Sequence, residues 1–129
     1  MNCPDILLIE DSPSQALNFR LMLEQAGYRV QIADNGLDGW RAACALRPHL
    51  ILLDIDLPML DGFQVLDRLK RDRATRHIPV VMLSHRDQIT SVEKALALGA
   101  DDYLFKDDVA LELHNVVAQA IALADANQA

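Results

Sequence analysis

Cysteine is scarce in this sequence: Cys3 and Cys44 lie far apart and show no CxxC or Cys/His spacing. That excludes a disulfide framework and a structural zinc site. Glycine and proline are equally few, five of each in 129 residues, so the chain is neither collagen-like nor a low-complexity linker. Basic charge is in deficit. Twelve Lys and Arg stand against nineteen Asp and Glu, a net −7 that argues against non-specific attachment to nucleic acid or to an anionic membrane surface. Proteins and small ions are the expected partners. No basic segment precedes the short apolar run of MNCPDILLIED, and acid follows it directly, so the N-terminus reads neither as a signal peptide nor as a membrane span. A soluble, cytoplasmic chain is expected. At 129 residues it has room for one domain, residues 1–129, whose core buries about 65–70% of the surface of the unfolded chain.

Against those absences, short apolar runs occur at Ile6–Ile9, Tyr28–Ala33, Leu50–Leu53, Ile78–Leu83 and Tyr103–Phe105, with helical periodicity between them. The first helix is predicted to start at Ser12 as N-cap with Pro13 next, to carry Leu17, Leu21 and Leu23 along its inward flank, and to stop at Gly27. Further helices are predicted over Leu37–Leu46, closed by Arg47 and Pro48, and over Gly62–Arg71 with Phe63, Val65, Leu66 and Leu69 inward. A fourth covers Ile89–Leu98, stopped by Gly99. The last runs from about Asp108 to Ala124, with Val109, Leu113, Val116, Val117 and Ala120 as its apolar face and Asp107 or Asp108 as cap. Runs such as LILL and IPVVML do not alternate, so the strands are covered on both faces. The expectation is an α/β fold, a doubly wound five-stranded parallel sheet with five helices.

In such sheets ligands bind beyond the carboxyl ends of the strands, where the strand order reverses. The first run ends in Glu10 and Asp11, the third in Asp54, the fourth in Ser84 and the fifth in Lys106, whereas the second leads only to the turn signal DNG. An order 2-1-3-4-5 puts the silent second strand at an edge and gathers the four polar ends around one pocket. Three carboxylates in one crevice repel, so a divalent cation is implied, Mg²⁺ by preference for oxygen ligands and Mn²⁺ as a substitute. Lys106 adds an ammonium and Ser84 a hydroxyl. A metal, an ammonium and a hydroxyl converging on one carboxylate make a phosphoryl-binding arrangement, with Asp54 as the nucleophile.

The pattern resembles the receiver domain of two-component response regulators, most closely the single-domain chemotaxis type. It is carried by LLIEDS, LLDIDLPMLDGF, VVMLS and DDYLFK, in that order along nearly the whole chain. The resemblance implies a flavodoxin-like fold and phosphoryl transfer from a histidine kinase or phosphotransfer protein to Asp54. It implies Mg²⁺ held by Glu10, Asp11, Asp54 and the backbone carbonyl of Asp56, and a switch pair formed by Ser84 and Tyr103. It also implies output through a downstream target protein, with no output domain in the chain. Two positions depart from the family pattern. Asp107 follows Lys106 where proline in a cis bond is usual, so a trans bond and a different loop are expected. His85 stands after Ser84 where a small residue is usual, either as a bystander or as a gate on access to the pocket.

Plainer roles accompany these. Asp61 is expected to cap the third helix. Arg68, Lys70, Arg71, Arg73 and Arg76 read as a solvated helix end, His49, His77 and His114 as solvent or helix-face residues, and Trp40 and Cys44 as helix residues packed on the sheet. Two other functions fit parts of the sequence. DIDLP imitates the Asp-x-Asp motif of haloacid-dehalogenase-like phosphatases, in which Asp54 would be nucleophile and Asp56 general acid. A receiver-like module that docks constitutively, without phosphorylation, is the other.

Overall fold

The computed structural model describes residues 4–128, so Cys3 lies outside the described residues. Strands β1 (Asp5–Ile9), β2 (Arg29–Ala33), β3 (Leu50–Asp54), β4 (Val80–Ser84) and β5 (Asp102–Phe105) alternate with helices α1 (Pro13–Gln25), α2 (Gly36–Leu46), α3 (Gly62–Arg71), α4 (Ile89–Ala97) and α5 (Val109–Gln128). Every pairing is parallel and the order is β2-β1-β3-β4-β5, as the strand ends require. β3 and β4 are buried along their whole length, which is why their sequences show no alternation.

The helices form two layers. α1 and α5 cover one face through Ala16, Phe19, Leu23, Val109, Leu113, Val117 and Ala120, packed on Ile6, Leu8, Leu50, Leu52, Val81 and Leu83. The other face, Leu7, Ile9, Ile51, Leu53, Val80 and Met82, packs against Ala43, Val65, Leu66, Leu69 and Ala95 of α2, α3 and α4. By length and composition the segment Lys106–Ala126 is apolar enough to cross a membrane. Its apolar stripe lies instead against the sheet.

The helix starts follow local chemistry. Ser12 Oγ accepts from Gln15 N with Pro13 in the first turn, and Asn35 caps α2 through Asp38 N. Asp61 and Gln64 exchange side-chain and backbone bonds in a capping box at α3, so Asp61 is a cap as expected. α2 ends at Arg47, which takes the left-handed conformation with φ 47°.

Three expectations need correction. The inward face of α1 is Ala16, Phe19 and Leu23, while Leu17 and Leu21 are 55% and 52% exposed. The helical period of 3.6 puts 16, 19 and 23 on one face and turns 17 and 21 roughly 130° and 170° from its centre. The fourth strand begins at Val80 rather than Ile78 and includes Ser84, because Pro79 precedes the ladder. The basic cluster is not uniformly solvated: Lys70 Nζ is tied to Ile78 O, Arg76 O and Asp101 Oδ2, and Arg68 lies 5.3 Å over the Trp40 ring. Cys44 is half-buried on α2, and burial, with Asp72 nearby, pushes its thiol up.

Candidate functional site

The two-residue period of the strands decides which polar groups meet. Ile6 and Leu8, Leu50 and Leu52, and Leu104 face the α1–α5 layer, and the same alternation carries Glu10, Asp54 and Lys106 to that side at the carboxyl ends. Ser84 and Tyr103 share the opposite parity, that of Met82, which pairs with Tyr103 in the ladder.

Lys106 Nζ donates to Glu10 Oε1 at 2.7 Å, to Gln15 Oε1 at 2.7 Å and to Asp54 Oδ2 at 3.0 Å. Glu10 and Asp54 are only 1% and 4% exposed. Asp11 is exposed, yet ligand oxygens of Glu10, Asp11 and Asp54 all lie within 4.8 Å of one another. One ammonium cannot balance this much buried acid. Burial pushes the Glu10 carboxyl up from 4.5 to about 8, the neighbouring Asp54 adds to the rise, and Lys106 opposes it. Burial alone would lower the Lys106 ammonium, but its bonds to Glu10 and Asp54 outweigh that and raise it above 10.5.

Two buried oxygens at the site, Glu10 Oε2 and Ser84 Oγ, have no hydrogen-bond partner among the described residues. Leaving such an atom unpaired costs about 1–3 kcal/mol. With oxygen-only donors, excess negative charge and an unpaired carboxylate oxygen, these residues fit a hard divalent cation.

The loop after β3 is held from two sides. Asp56 N donates to Asp54 Oδ1 at 3.2 Å, and Asp56 Oδ2 accepts from Gln88 Nε2 at 2.7 Å. Gln88 Oε1 in turn accepts from His85 N at 2.8 Å, so one side chain ties the 3₁₀ turn Arg86–Gln88 to the loop beyond Asp54. His85 is exposed. It shares a cavity of about 170 Å³ with Gln15, Asn18, Phe19, Lys106, Asp107 and Val109; Asp54 is not in its lining. No cis peptide bond occurs among the described residues, and Lys106–Asp108 forms a 3₁₀ turn leading into α5. Tyr103 is half-buried, edge-on to Phe105 with ring centroids 5.2 Å apart.

The structure therefore brings Glu10, Asp11, Asp54 and Lys106 together, with Ser84 at the neighbouring strand end and Asp56 at the rim. Gln15 and Gln88 were not foreseen. Their bonds span 91 and 32 residues of chain, and the only trace in the sequence is a polar residue in the first turn after a strand end.

Comparison with known proteins gives one answer. The family described as "Response regulator receiver domain" matches residues 6–118. The chain is 47% identical over 103 residues to the DNA-binding dual master transcriptional regulator RpaA of Synechocystis, covering 80% of this chain and 43% of that protein. It is 40% identical over 101 residues to protein PilH of Pseudomonas aeruginosa, covering 78% of this chain and 84% of that one. The chain thus spans less than half of RpaA but most of PilH. Among solved structures, a putative response regulator from Chloroflexus aurantiacus superposes with a TM-score of 0.90 at 27% identity, over 94% of this chain and 99% of that one. The receiver domain of the sensor histidine kinase PA1611 from Pseudomonas aeruginosa, described with a magnesium ion in its active-site cleft, gives 0.86 at 30% identity, over 94% and 99%. Fold, strand order and acidic cluster agree with these matches, and the chain belongs to the response regulator receiver domain family.

Proposed function

We propose that the chain is a phosphoacceptor switch of two-component signalling, in which Asp54 takes a phosphoryl group from a histidine kinase or phosphotransfer protein and the protein then alters the face it offers a target protein. The observation that carries this reading is Lys106 Nζ, bonded at 3.0 Å to the buried Asp54 carboxylate, with Glu10 Oε2 and Ser84 Oγ at the neighbouring strand ends lacking a partner among the described residues. In the transfer, an Asp54 carboxylate oxygen attacks phosphorus, the bond to the donor imidazole nitrogen breaks, and that nitrogen keeps the electron pair. The wholly buried β3 keeps Asp54 in line. Lys106 turns an N–H, and Ser84 its hydroxyl, to phosphoryl oxygens. Glu10, Asp11, Asp54 and the backbone carbonyl of Asp56 would hold Mg²⁺, or Mn²⁺. When bound, such an ion neutralises charge on the phosphoryl oxygens.

Ser84 and Tyr103 lie on the same face of the sheet, which supports their reading as the switch pair: the hydroxyl moves toward the phosphoryl group and the ring turns inward. His85, beside Lys106, is read as a gate that keeps water from the acyl phosphate. The net charge of −7 supports a protein partner over nucleic acid or an anionic membrane surface, and the reading places the chain in the cytoplasm. The phosphatase alternative asks Asp56 to act as general acid, but its carboxylate accepts a bond from Gln88. The constitutive docking alternative leaves the acid–lysine set without a task.

Incubation with Mg²⁺ and acetyl phosphate should add one phosphoryl group by intact mass. The adduct should be absent from Asp54→Asn and absent in chelator. Equal phosphorylation of Asp54→Asn and the unaltered protein would remove Asp54 as the acceptor.

A further inference from the structure

Lys106 carries three N–H donors and no acceptor, and all three are used: Glu10 Oε1, Gln15 Oε1 and Asp54 Oδ2 lie at 2.7, 2.7 and 3.0 Å. The side chain is 10% exposed, so no solvent replaces a lost acceptor cheaply. The three acceptors differ in kind. Glu10 and Asp54 are carboxylates from the ends of β1 and β3, and both stand in the acidic cluster. Gln15 comes from the first turn of α1, is neutral, and is outside that cluster.

We infer that Gln15 is a positioning residue for Lys106, an inference that deepens the phosphoacceptor reading and rests on it. A lysine stem has four rotatable bonds, and two carboxylates on the same side fix the distance of its ammonium but not its orientation. The amide oxygen approaches from the helix side and completes the set. Because it neither titrates nor belongs to the acidic cluster, its hold on Nζ persists when the charge on Asp54 and Glu10 changes. When Asp54 becomes an acyl phosphate, Lys106 redirects one N–H from the carboxylate to a phosphoryl oxygen. The bond to Gln15 keeps the ammonium within reach while it does so. The helix holds the amide in turn: Gln15 N donates to Ser12 Oγ, a backbone bond that any side chain at this position retains.

The test compares Gln15→Met, which keeps the length but loses the amide oxygen, with Gln15→Glu, which keeps an oxygen acceptor. Position 15 is exposed on a capped helix, and thermal unfolding verifies that both variants keep the fold. With acetyl phosphate and Mg²⁺, Gln15→Met should lower the saturating phosphorylation rate about fivefold, the value of one net hydrogen bond, without changing the half-saturating donor concentration. Gln15→Glu should recover most of the rate. The second readout is independent of phosphorylation: the Lys106 ammonium ¹⁵N signal should be resolved in the unaltered protein and in Gln15→Glu, and broadened by solvent exchange in Gln15→Met. Unchanged rate and signal in Gln15→Met overturn the inference. So does a faster rate, which would make Gln15 a restraint on Lys106. If the unaltered protein takes no phosphate at all, the phosphoacceptor reading fails, and the ammonium signal alone decides whether Gln15 orients Lys106.

Discussion

The Glu10 carboxyl has one oxygen bonded to Lys106 and the other without a partner among the described residues, and its burial disfavours the charged form. Its pKa of about 8 in the folded protein, against 4.5 as an ordinary glutamate, gives a sign for stability. Between those values the folded state binds more protons than the unfolded one, so stability falls as pH rises. The contribution is fully present below the unfolded value and gone once pH passes the folded one. In chelator, Tm should decline from about pH 5 to about pH 8, and Glu10→Gln should flatten that decline. An equal slope in both proteins would assign it to another group. At this scale the sequence was informative where a residue ends a strand, as for Glu10, Asp54, Ser84 and Lys106. It was silent on Gln15 and Gln88, whose partners are set by which helix turn or loop happens to face the strand ends.

Elements were legible to the extent that burial and composition coincide. β3 and β4 are apolar up to their last residues, Asp54 and Ser84, because both faces are covered, and α5 shows its stripe plainly. α1 was misread because its leucines stand at 17, 21 and 23 while the buried face uses Ala16 and Phe19, so hydrophobicity alone pointed to the wrong side. The basic end of α3 was misread for a related reason: Lys70 finds carbonyls that only the folded β4 entry supplies. Another element-scale contact places α3 against the site. A Cβ on Gly62 would overlap Asp54 O and come within 2.7 Å of Ile55 Cα, both backbone. Gly62→Ala should therefore destabilise by about 3 kcal/mol in urea unfolding and displace the end of β3. Gly27→Ala is the contrast. It has nothing within 4 Å and only its φ of 97° to strain, so a loss of about 1 kcal/mol is expected. Similar losses at the two sites would mean that close packing of α3 on the Asp54 backbone is not what Gly62 provides.

For the molecule as a whole, strand order has a consequence for the sequence of events in folding. β1 is first along the chain but second in the sheet, and both of its partners, β2 and β3, lie before residue 55. A chain that has emerged that far can already close a three-stranded parallel sheet with α1 and α2 as its crossovers. β4 and β5 then add outward, each to an edge that already exists. Pairing Ile6 with Leu50 closes the longest loop in the sheet, and β4 and β5 then close shorter ones, Ile51 with Val80 and Val81 with Asp102; the costliest closure therefore falls in the β2-β1-β3 unit and marks it as the nucleus. Leu8→Ala in β1 should then slow refolding, whereas Leu104→Ala in β5 should chiefly speed unfolding, each with a loss of about 2–5 kcal/mol. Stopped-flow refolding and unfolding in urea separate the two. A refolding rate lowered equally by both substitutions would mean that the sheet assembles in one step. If the order holds, the acceptor strand is in place before Ser84 and Lys106 arrive, and the pocket is finished by the last two strands to join.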